Sequence, residues 1–271
     1  MKNIIACTTR PYQMLPFAAA CEQIAAAGFS ELAVYYSASG LDQYVLPVSA
    51  DSTSSEIAAA RNAAAAAGVK PAMLLGYSHP ELGVAKAIAE YKRLIDNASA
   101  LGAQWLLDCG IDDLNLRHDY YELMRQVAPH AAQAGIQISL KPHGGITLSL
   151  QDLLQAQQEI DHPAFSLCFD PGNLIYYSNG AIKPEDCITP LLPWLSTGII
   201  KDCVINAAGP DVAITAGEGL VDFRQTLSEL VKGGFTGPLY IECVGGTELA
   251  EIDRNVRATQ QLISQILAEL A

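Results

Sequence analysis

The stretch Ala131-Ala132-Gln133-Ala134-Gly135-Ile136-Gln137-Ile138-Ser139-Leu140-Lys141-Pro142-His143 holds one complete structural joint. An alanine-rich run that suits a helix ends on Gly135, a residue free to take the left-handed backbone that stops helices. Alternation follows: Ile136, Ile138 and Leu140 are apolar, while Gln137, Ser139, Lys141 and His143 are polar or charged. Successive side chains of a strand point to opposite faces. The apolar set therefore faces a layer of helices. The polar set faces the inside of a closed sheet, with Lys141 and His143 at its rim.

The same joint recurs at Ala27-Gly28-Phe29, Ala67-Gly68-Val69, Leu101-Gly102-Ala103 and Gly233-Gly234-Phe235. Worked outward from these glycines, strands are expected near 3–8, 31–36, 70–76, 104–109, 136–142, 165–170, 197–203 and 237–243. Helices are expected near 14–27, 54–67, 79–101, 118–134, 148–160, 184–194, 222–233 and 249–270. Thr53 with Glu56 and Ser149 with Asp152 resemble capping boxes, and Pro80 and Pro184 suit a first helical turn. Strict βα alternation argues for a parallel sheet covered by helices. Eight units without remainder favour closure into a (β/α)8 TIM barrel, a single domain over 1–271. No GxGxxG follows the first strand, which counts against a dinucleotide-binding sheet.

The length agrees, since 271 residues fit one barrel of about 250. The first residues hold too short an apolar run for a signal peptide, and no stretch reaches the ~18 apolar residues of a membrane span. The seven cysteines lack the paired spacing of a zinc site, and most lie in apolar contexts. They read as reduced, buried residues of a cytoplasmic protein. Sixteen Lys and Arg stand against 29 Asp and Glu, a net charge of −13 with no basic run. That excludes the electrostatic footprint of a nucleic-acid binder.

Catalytic groups of such barrels gather at the C-terminal ends of the strands. Strand phase turns Asp170 inward at the end of Phe165–Asp170. It turns Tyr240 and Glu242 inward, because Leu239 and Ile241 face out. In the seventh strand either Lys201 faces in and Asp202 out, or the reverse. Charged groups thus converge on one mouth, either as a catalytic set or as a structural cluster of Lys141 and Lys201 against Asp170 and Glu242.

Several short runs carry a resemblance. Phe169-Asp170-Pro171-Gly172-Asn173, Lys201-Asp202, Gly217-Glu218-Gly219-Leu220-Val221-Asp222-Phe223 and Gly237-Pro238-Leu239-Tyr240-Ile241-Glu242 are similar to segments of xylose-isomerase-like sugar isomerases and epimerases, over essentially the whole chain. The resemblance implies a divalent metal held by a Glu, an Asp, a His and a Glu from strands 5 to 8. Asp170 and Glu242 match that pattern. Lys141 stands in place of the first Glu, Ile199 in place of the His, and Asn173 in place of a histidine that follows strand 6.

A charged lysine repels a metal, so two arrangements stay open. In one, a divalent ion such as Mn²⁺, Zn²⁺ or Mg²⁺ shifts toward His143, Asp170 and Glu242. In the other, Lys141 does the metal's electrostatic work and the site is metal-free. Either serves proton abstraction beside a carbonyl, with Glu242 as base or ligand, His143 as ligand or proton shuttle, and Lys201 steadying a substrate oxygen. The resemblance implies a sugar isomerase or epimerase. The alternatives are a lyase for a keto-sugar or glycoside, and a non-catalytic sugar-binding barrel. Apurinic-site endonucleases share the fold but need a richer metal cluster and a basic face.

Other residues bear on the mouth less directly. His79 either reaches the pocket or starts a helix. Asp108 sits at a strand end with its phase open. Tyr35 and Tyr36 are candidates for lining the sugar site, with one of them expected under the helices. Gly144 and Gly145 permit close backbone approach or a turn. Cys109, Cys168 and Cys203 read as packing. His118, His130 and His162 receive no role. No Lys- or Arg-rich phosphate loop is evident, which favours an unphosphorylated small-molecule sugar, and barrels of this type often form homo-oligomers.

Overall fold

The computed structural model describes residues 4–40 and 43–270. Eight parallel strands close into a barrel: β1 (Ile5–Thr8), β2 (Glu31–Val34), β3 (Lys70–Gly76), β4 (Trp105–Asp108), β5 (Gln137–Leu140), β6 (Phe165–Phe169), β7 (Leu195–Ile200) and β8 (Leu239–Ile241). Each strand pairs with its sequence neighbour, and β1 closes the ring on β8 through Ile5 opposite Leu239. Outside lie α1 (Phe17–Ala26), α2 (Ser54–Ala67), α3 (Val84–Leu101), α4 (Arg117–Ala134), α5 (Leu150–Ile160), α6 (Pro171–Tyr177), α7 (Pro184–Leu191), α8 (Phe223–Lys232) and α9 (Leu249–Glu269).

The glycine joints do what the sequence requires of them. Gly68, Gly102 and Gly135 cap α2, α3 and α4 with left-handed backbone. Both expected capping boxes are present. At α5 the Ser149 hydroxyl accepts from the Asp152 N–H at 3.2 Å, and Asp152 accepts from the Ser149 N–H at 3.0 Å. Removing such a cap costs about 1 kcal/mol. Ser149→Ala is therefore expected to lower unfolding stability by that amount, read from the urea midpoint at unchanged slope.

Three elements were not foreseen. Two hairpins, Ser37–Gly40 with Gln43–Val45 and Val204–Asn206 with Gly209–Asp211, decorate the loops after β2 and β7. The third, α6, begins directly at the end of β6. Its signal was present in the sequence, because Asp170 followed by Pro171 is an N-cap residue followed by a favoured first helical residue. Asp170 Oδ1 accepts from the Asn173 N–H at 2.9 Å.

Two buried layers sort by strand phase. Cys7, Leu32, Leu74, Leu106, Ile138, Leu167 and Ile241 pack beneath the helices, while Ala6, Ala33, Met73, Leu107, Cys168, Ile199 and Tyr240 fill the barrel. Hydroxyls lie lower in the barrel: Ser139 Oγ is 2.8 Å from Thr197 Oγ1, and Ser166 Oγ is 2.7 Å from Ser196 Oγ. The inward phase therefore continues to Lys141, Asp170, Lys201 and Glu242. That continuation builds the mouth.

Candidate active site

Four charges from the last four strands meet at the top of the barrel. Lys141 Nζ donates to Glu242 Oε2 at 2.8 Å and stands 3.5 Å from Asp170 Oδ2. Lys201 Nζ donates to Asp170 Oδ2 at 3.1 Å, to Asn173 Oδ1 at 3.0 Å and to Glu242 Oε1 at 2.5 Å. All four side chains are nearly sealed, at 2, 0, 3 and 2 % exposure for Lys141, Asp170, Lys201 and Glu242. Two ammoniums and two carboxylates leave the cluster neutral, which is the condition for burying charge.

The surroundings fix the protonation. Burial opposes the Lys141 charge, but Glu242, Tyr35 and Asp170 outweigh it and raise its pKa well above the ordinary value. Lys201 rises likewise, with Asp170 and Glu242 overcoming burial. Burial alone would lift Glu242, but Lys141, Lys201 and Arg10 hold it below the usual carboxylate range. Tyr35 lies under the pair, with its hydroxyl donating to Glu242 Oε2 at 3.3 Å and its ring 5.9 Å from Lys141 Nζ.

Helix α6 forms the roof. A Cβ on Gly172 would lie 2.6 Å from Lys201 Cγ and 2.8 Å from the Lys201 carbonyl, so only glycine lets the helix sit this close. At its far end Tyr177 bonds His143, hydroxyl to Nε2 at 2.9 Å, and the Tyr176 and Tyr177 rings stand edge to face at 5.1 Å. Burial, then Lys141 and Lys201, push the His143 pKa down to about 4, so its imidazole is neutral at pH 7.

Two cavities flank this aromatic chain. One of about 370 Å³ is lined by Arg10, Met14, Tyr176, Asp211, Glu242 and Cys243. The other, of about 360 Å³, is lined by Tyr77, Cys109, Asp112, Asp113 and His143. A larger cavity of about 840 Å³ opens at the opposite end, beside Trp105, Gln137 and Ser196, and no titratable side chain lines it.

The expected residues thus divide. Lys141, Asp170, Lys201 and Glu242 come together, and Lys201 is the inward member of its pair. His143 turns to Tyr177 and the second cavity. Asp202 faces out and anchors the following loop, accepting from the N–H groups of Cys203, Gly217, Gly219 and Val221 at 2.8, 2.9, 2.9 and 3.0 Å. A Cβ on Gly219 would collide with Asp202 Oδ1. That contact gives Gly219 a structural reason to be glycine.

Asp108 faces the helix layer, bonded by Tyr91 and Tyr120 at 3.0 and 2.9 Å. Neither Tyr35 nor Tyr36 packs under the helices: β2 ends at Val34, and beyond it both lie over the barrel interior, with Tyr36 bonded to Tyr77. His79 pairs with Glu90 and precedes a short 3-10 turn. Burial raises the thiol pKa values of Cys109, Cys168 and Cys203, that of Cys109 to about 12, so these cysteines stay protonated. Attention to strands 5–8 missed Arg10, whose signal was a lone cation just past the end of β1.

The architecture and the site can now be compared with known proteins. A family model described as Xylose isomerase-like TIM barrel matches residues 21–265. The chain belongs to that family. Among solved structures of the same fold, a xylose isomerase-like TIM barrel protein from Mycobacterium smegmatis in complex with magnesium is 22% identical, with TM-score 0.78, covering 100% of this chain and 98% of that one. D-psicose 3-epimerase from Clostridium cellulolyticum H10, with D-tagatose, is 15% identical at TM-score 0.75, covering 98% and 99%. D-allulose 3-epimerase from Methylomonas sp., in complex with D-allulose, is 18% identical at TM-score 0.71, covering 97% of each. No curated protein sequence matches.

A xylose isomerase-like barrel raises the question of a metal, and the residues present do not fit one. Among the described residues no three His, Cys, Asp or Glu side chains are grouped to hold an ion. The expected set of His143, Asp170 and Glu242 is not assembled, because His143 is engaged by Tyr177 and each carboxylate is already bridged by two ammoniums. Ile199, packed among Cys168 and Tyr240, offers no ligand from β7. Two lysine charges stand where the family resemblance would place a divalent cation.

Proposed function

We propose that this barrel is a sugar isomerase or epimerase that moves a proton beside a carbonyl without a metal. The observation that carries the proposal is the pair of ammoniums locked between Asp170 and Glu242, with Glu242 open to a cavity at the mouth. An enediolate oxygen needs positive charge fixed in a water-poor site, and Lys141 and Lys201 supply it from the barrel wall. At rest Glu242 is a weak base, because both lysines hold its proton affinity down. A substrate oxygen that takes over donors from Lys201 loosens that hold, and the Glu242 proton affinity rises toward that of a working base. Asp170 and Asn173 keep Lys201 oriented meanwhile. The D-tagatose and D-allulose seen with similar barrels make ketohexoses the first substrates to try.

Chelator-treated protein incubated in D₂O with ketohexoses is expected to wash deuterium into the carbon beside the carbonyl, followed by NMR. Removing a general base costs about 10²–10⁴-fold, so Glu242→Gln is expected to slow exchange at least 100-fold while circular dichroism stays unchanged. Exchange that appears only after Mn²⁺ or Mg²⁺ is added would defeat the metal-free reading. Bond cleavage without rearrangement would make the enzyme a lyase. The near-complete burial and full pairing of the four charges favour a second reading, a barrel that binds sugars without turnover. Saturable binding with no exchange would select it.

A further inference from the structure

Arg10 differs from every other arginine of the chain. Arg61 and Arg257 reach backbone carbonyls, and Arg93, Arg117, Arg125, Arg224 and Arg254 reach carboxylates. Arg10 is exposed, and it lines the cavity that Glu242 also lines. Cys243 and Glu242 are the charged or titratable neighbours that bear on it most, and among the described residues its side chain makes no hydrogen bond or ion pair to an oxygen. A guanidinium presents its donors in a planar fork that matches a carboxylate in two parallel hydrogen bonds.

We propose that Arg10 anchors the carboxylate of an acidic sugar, a uronate or keto-aldonate chain whose carbonyl end lies against Glu242. This rests on the proton-transfer reading and names its substrate class. A carboxylate fits better than a phosphate for reasons of charge. Lys141 and Lys201 are both committed to Asp170 and Glu242, so Arg10 is the uncommitted cation of this wall. Asp211 and Glu242 line the same space and would repel a dianion more than a monoanion. The Asp211 carboxylate, already accepting from the Ala213 N–H at 2.8 Å, keeps acceptor capacity for sugar hydroxyls. At about 370 Å³ the cavity lies at the small end of ligand pockets, the scale of one monosaccharide.

The test is calorimetric titration of the full chain with D-glucuronate, D-galacturonate and D-gluconate against D-glucose, D-galactose and glucose 6-phosphate. Hydrogen bonds to charged groups are worth about 1.5–3 kcal/mol, so the acids are expected to bind at least about tenfold more tightly than the neutral sugars. Arg10→Ala, checked for an unchanged circular dichroism spectrum, is expected to bring the acids down to the neutral level, and Arg10→Lys to restore part of the difference. The proposal is overturned by no binding of any acid, by equal affinity for acid and neutral sugars, or by a preference that survives Arg10→Ala. Tighter binding of glucose 6-phosphate than of the acids overturns it as well. Deuterium exchange separates the two readings. Uronates held through Arg10 that never exchange sink the proton-transfer reading and keep the anchor, gluconate serving for binding only. Exchange of a neutral ketose, unchanged in Arg10→Ala, sinks the anchor and keeps the chemistry.

Discussion

Lys141→Met is expected to destabilise the barrel by about 3–5 kcal/mol, the cost of leaving a buried charge without its partner. With that ammonium gone, Asp170 and Glu242 share Lys201 alone, and the sealed cluster carries a net negative charge. Glu242→Leu is expected to cost a similar amount with the opposite sign of imbalance, because two ammoniums then share Asp170. The double variant Lys141→Met/Glu242→Leu keeps the 3.1 Å Lys201–Asp170 pair and restores neutrality. It is expected to recover most of what either single variant loses, since an apolar pair can replace a buried ion pair at little cost. Urea unfolding of the four proteins, with a constant slope as the check on two-state behaviour, reads the coupling. Single-variant losses that simply add, or that stay below about 1 kcal/mol, would mean that water reaches the cluster and screens it.

The charge balance bears on function as well as stability. A rigid cluster that tolerates no net charge will not admit a divalent cation unless a lysine leaves or loses its proton. It can accept a neutral sugar carbonyl or hydroxyl, because such a group exchanges hydrogen bonds without changing the charge. The same neutrality that stabilises the barrel top therefore selects against metal and for uncharged oxygen at this point, with any ligand charge carried farther out, toward Arg10.

Strand phase was the most legible feature of the sequence. Alternation along Ile136–Lys141 and Leu239–Glu242 placed Lys141 and Glu242 on the inner wall before any coordinates, and the glycine joints located the helices that force such a sheet to close. Three things were not legible, each for a physical reason. Phase holds one residue past a strand's end, as at Lys141, Glu242 and Tyr35, and fades beyond that, so Tyr36 and His143 took positions set by loops. The β7 sequence is apolar on both faces at Ile199-Ile200, so only the finished barrel could say which of Lys201 and Asp202 points inward. Arg10 is a single cation opening a 3-10 turn after β1, and nothing in one dimension marks it as unpartnered. Distances between strands decide that, and a lysine pair reads as a lost metal site until the two ammoniums are seen bridging the same carboxylates.

His143 is expected to make the protein lose stability on acidification, by up to about 3 kcal/mol between pH 6.5 and about pH 4. The sign follows from proton counts. In that window the unfolded imidazole binds a proton, whereas the folded one is held neutral by burial and by Lys141 and Lys201, so stability is full above pH 6.5 and falls as pH drops. Asp108 runs the other way and masks part of this in the wild-type protein. Burial lifts the Asp108 pKa from 3.8 to about 6, against the pull of Gly110, Tyr120 and Tyr91, so its contribution is greatest at low pH and is lost as pH rises through 6. The two contributions oppose each other across this window. The measurement is therefore a difference, the unfolding free energy of His143→Gln minus that of wild type at successive pH values. That difference is expected to shift in the variant's favour as pH falls from 6.5 to 4, and the Asp108→Asn difference to shift in its variant's favour as pH rises through 6. A His143 difference that stays flat would mean the imidazole takes up its proton freely. The Tyr177 roof would then be open to water, and the lysines beneath it would no longer be the isolated charges on which a metal-free proton transfer depends.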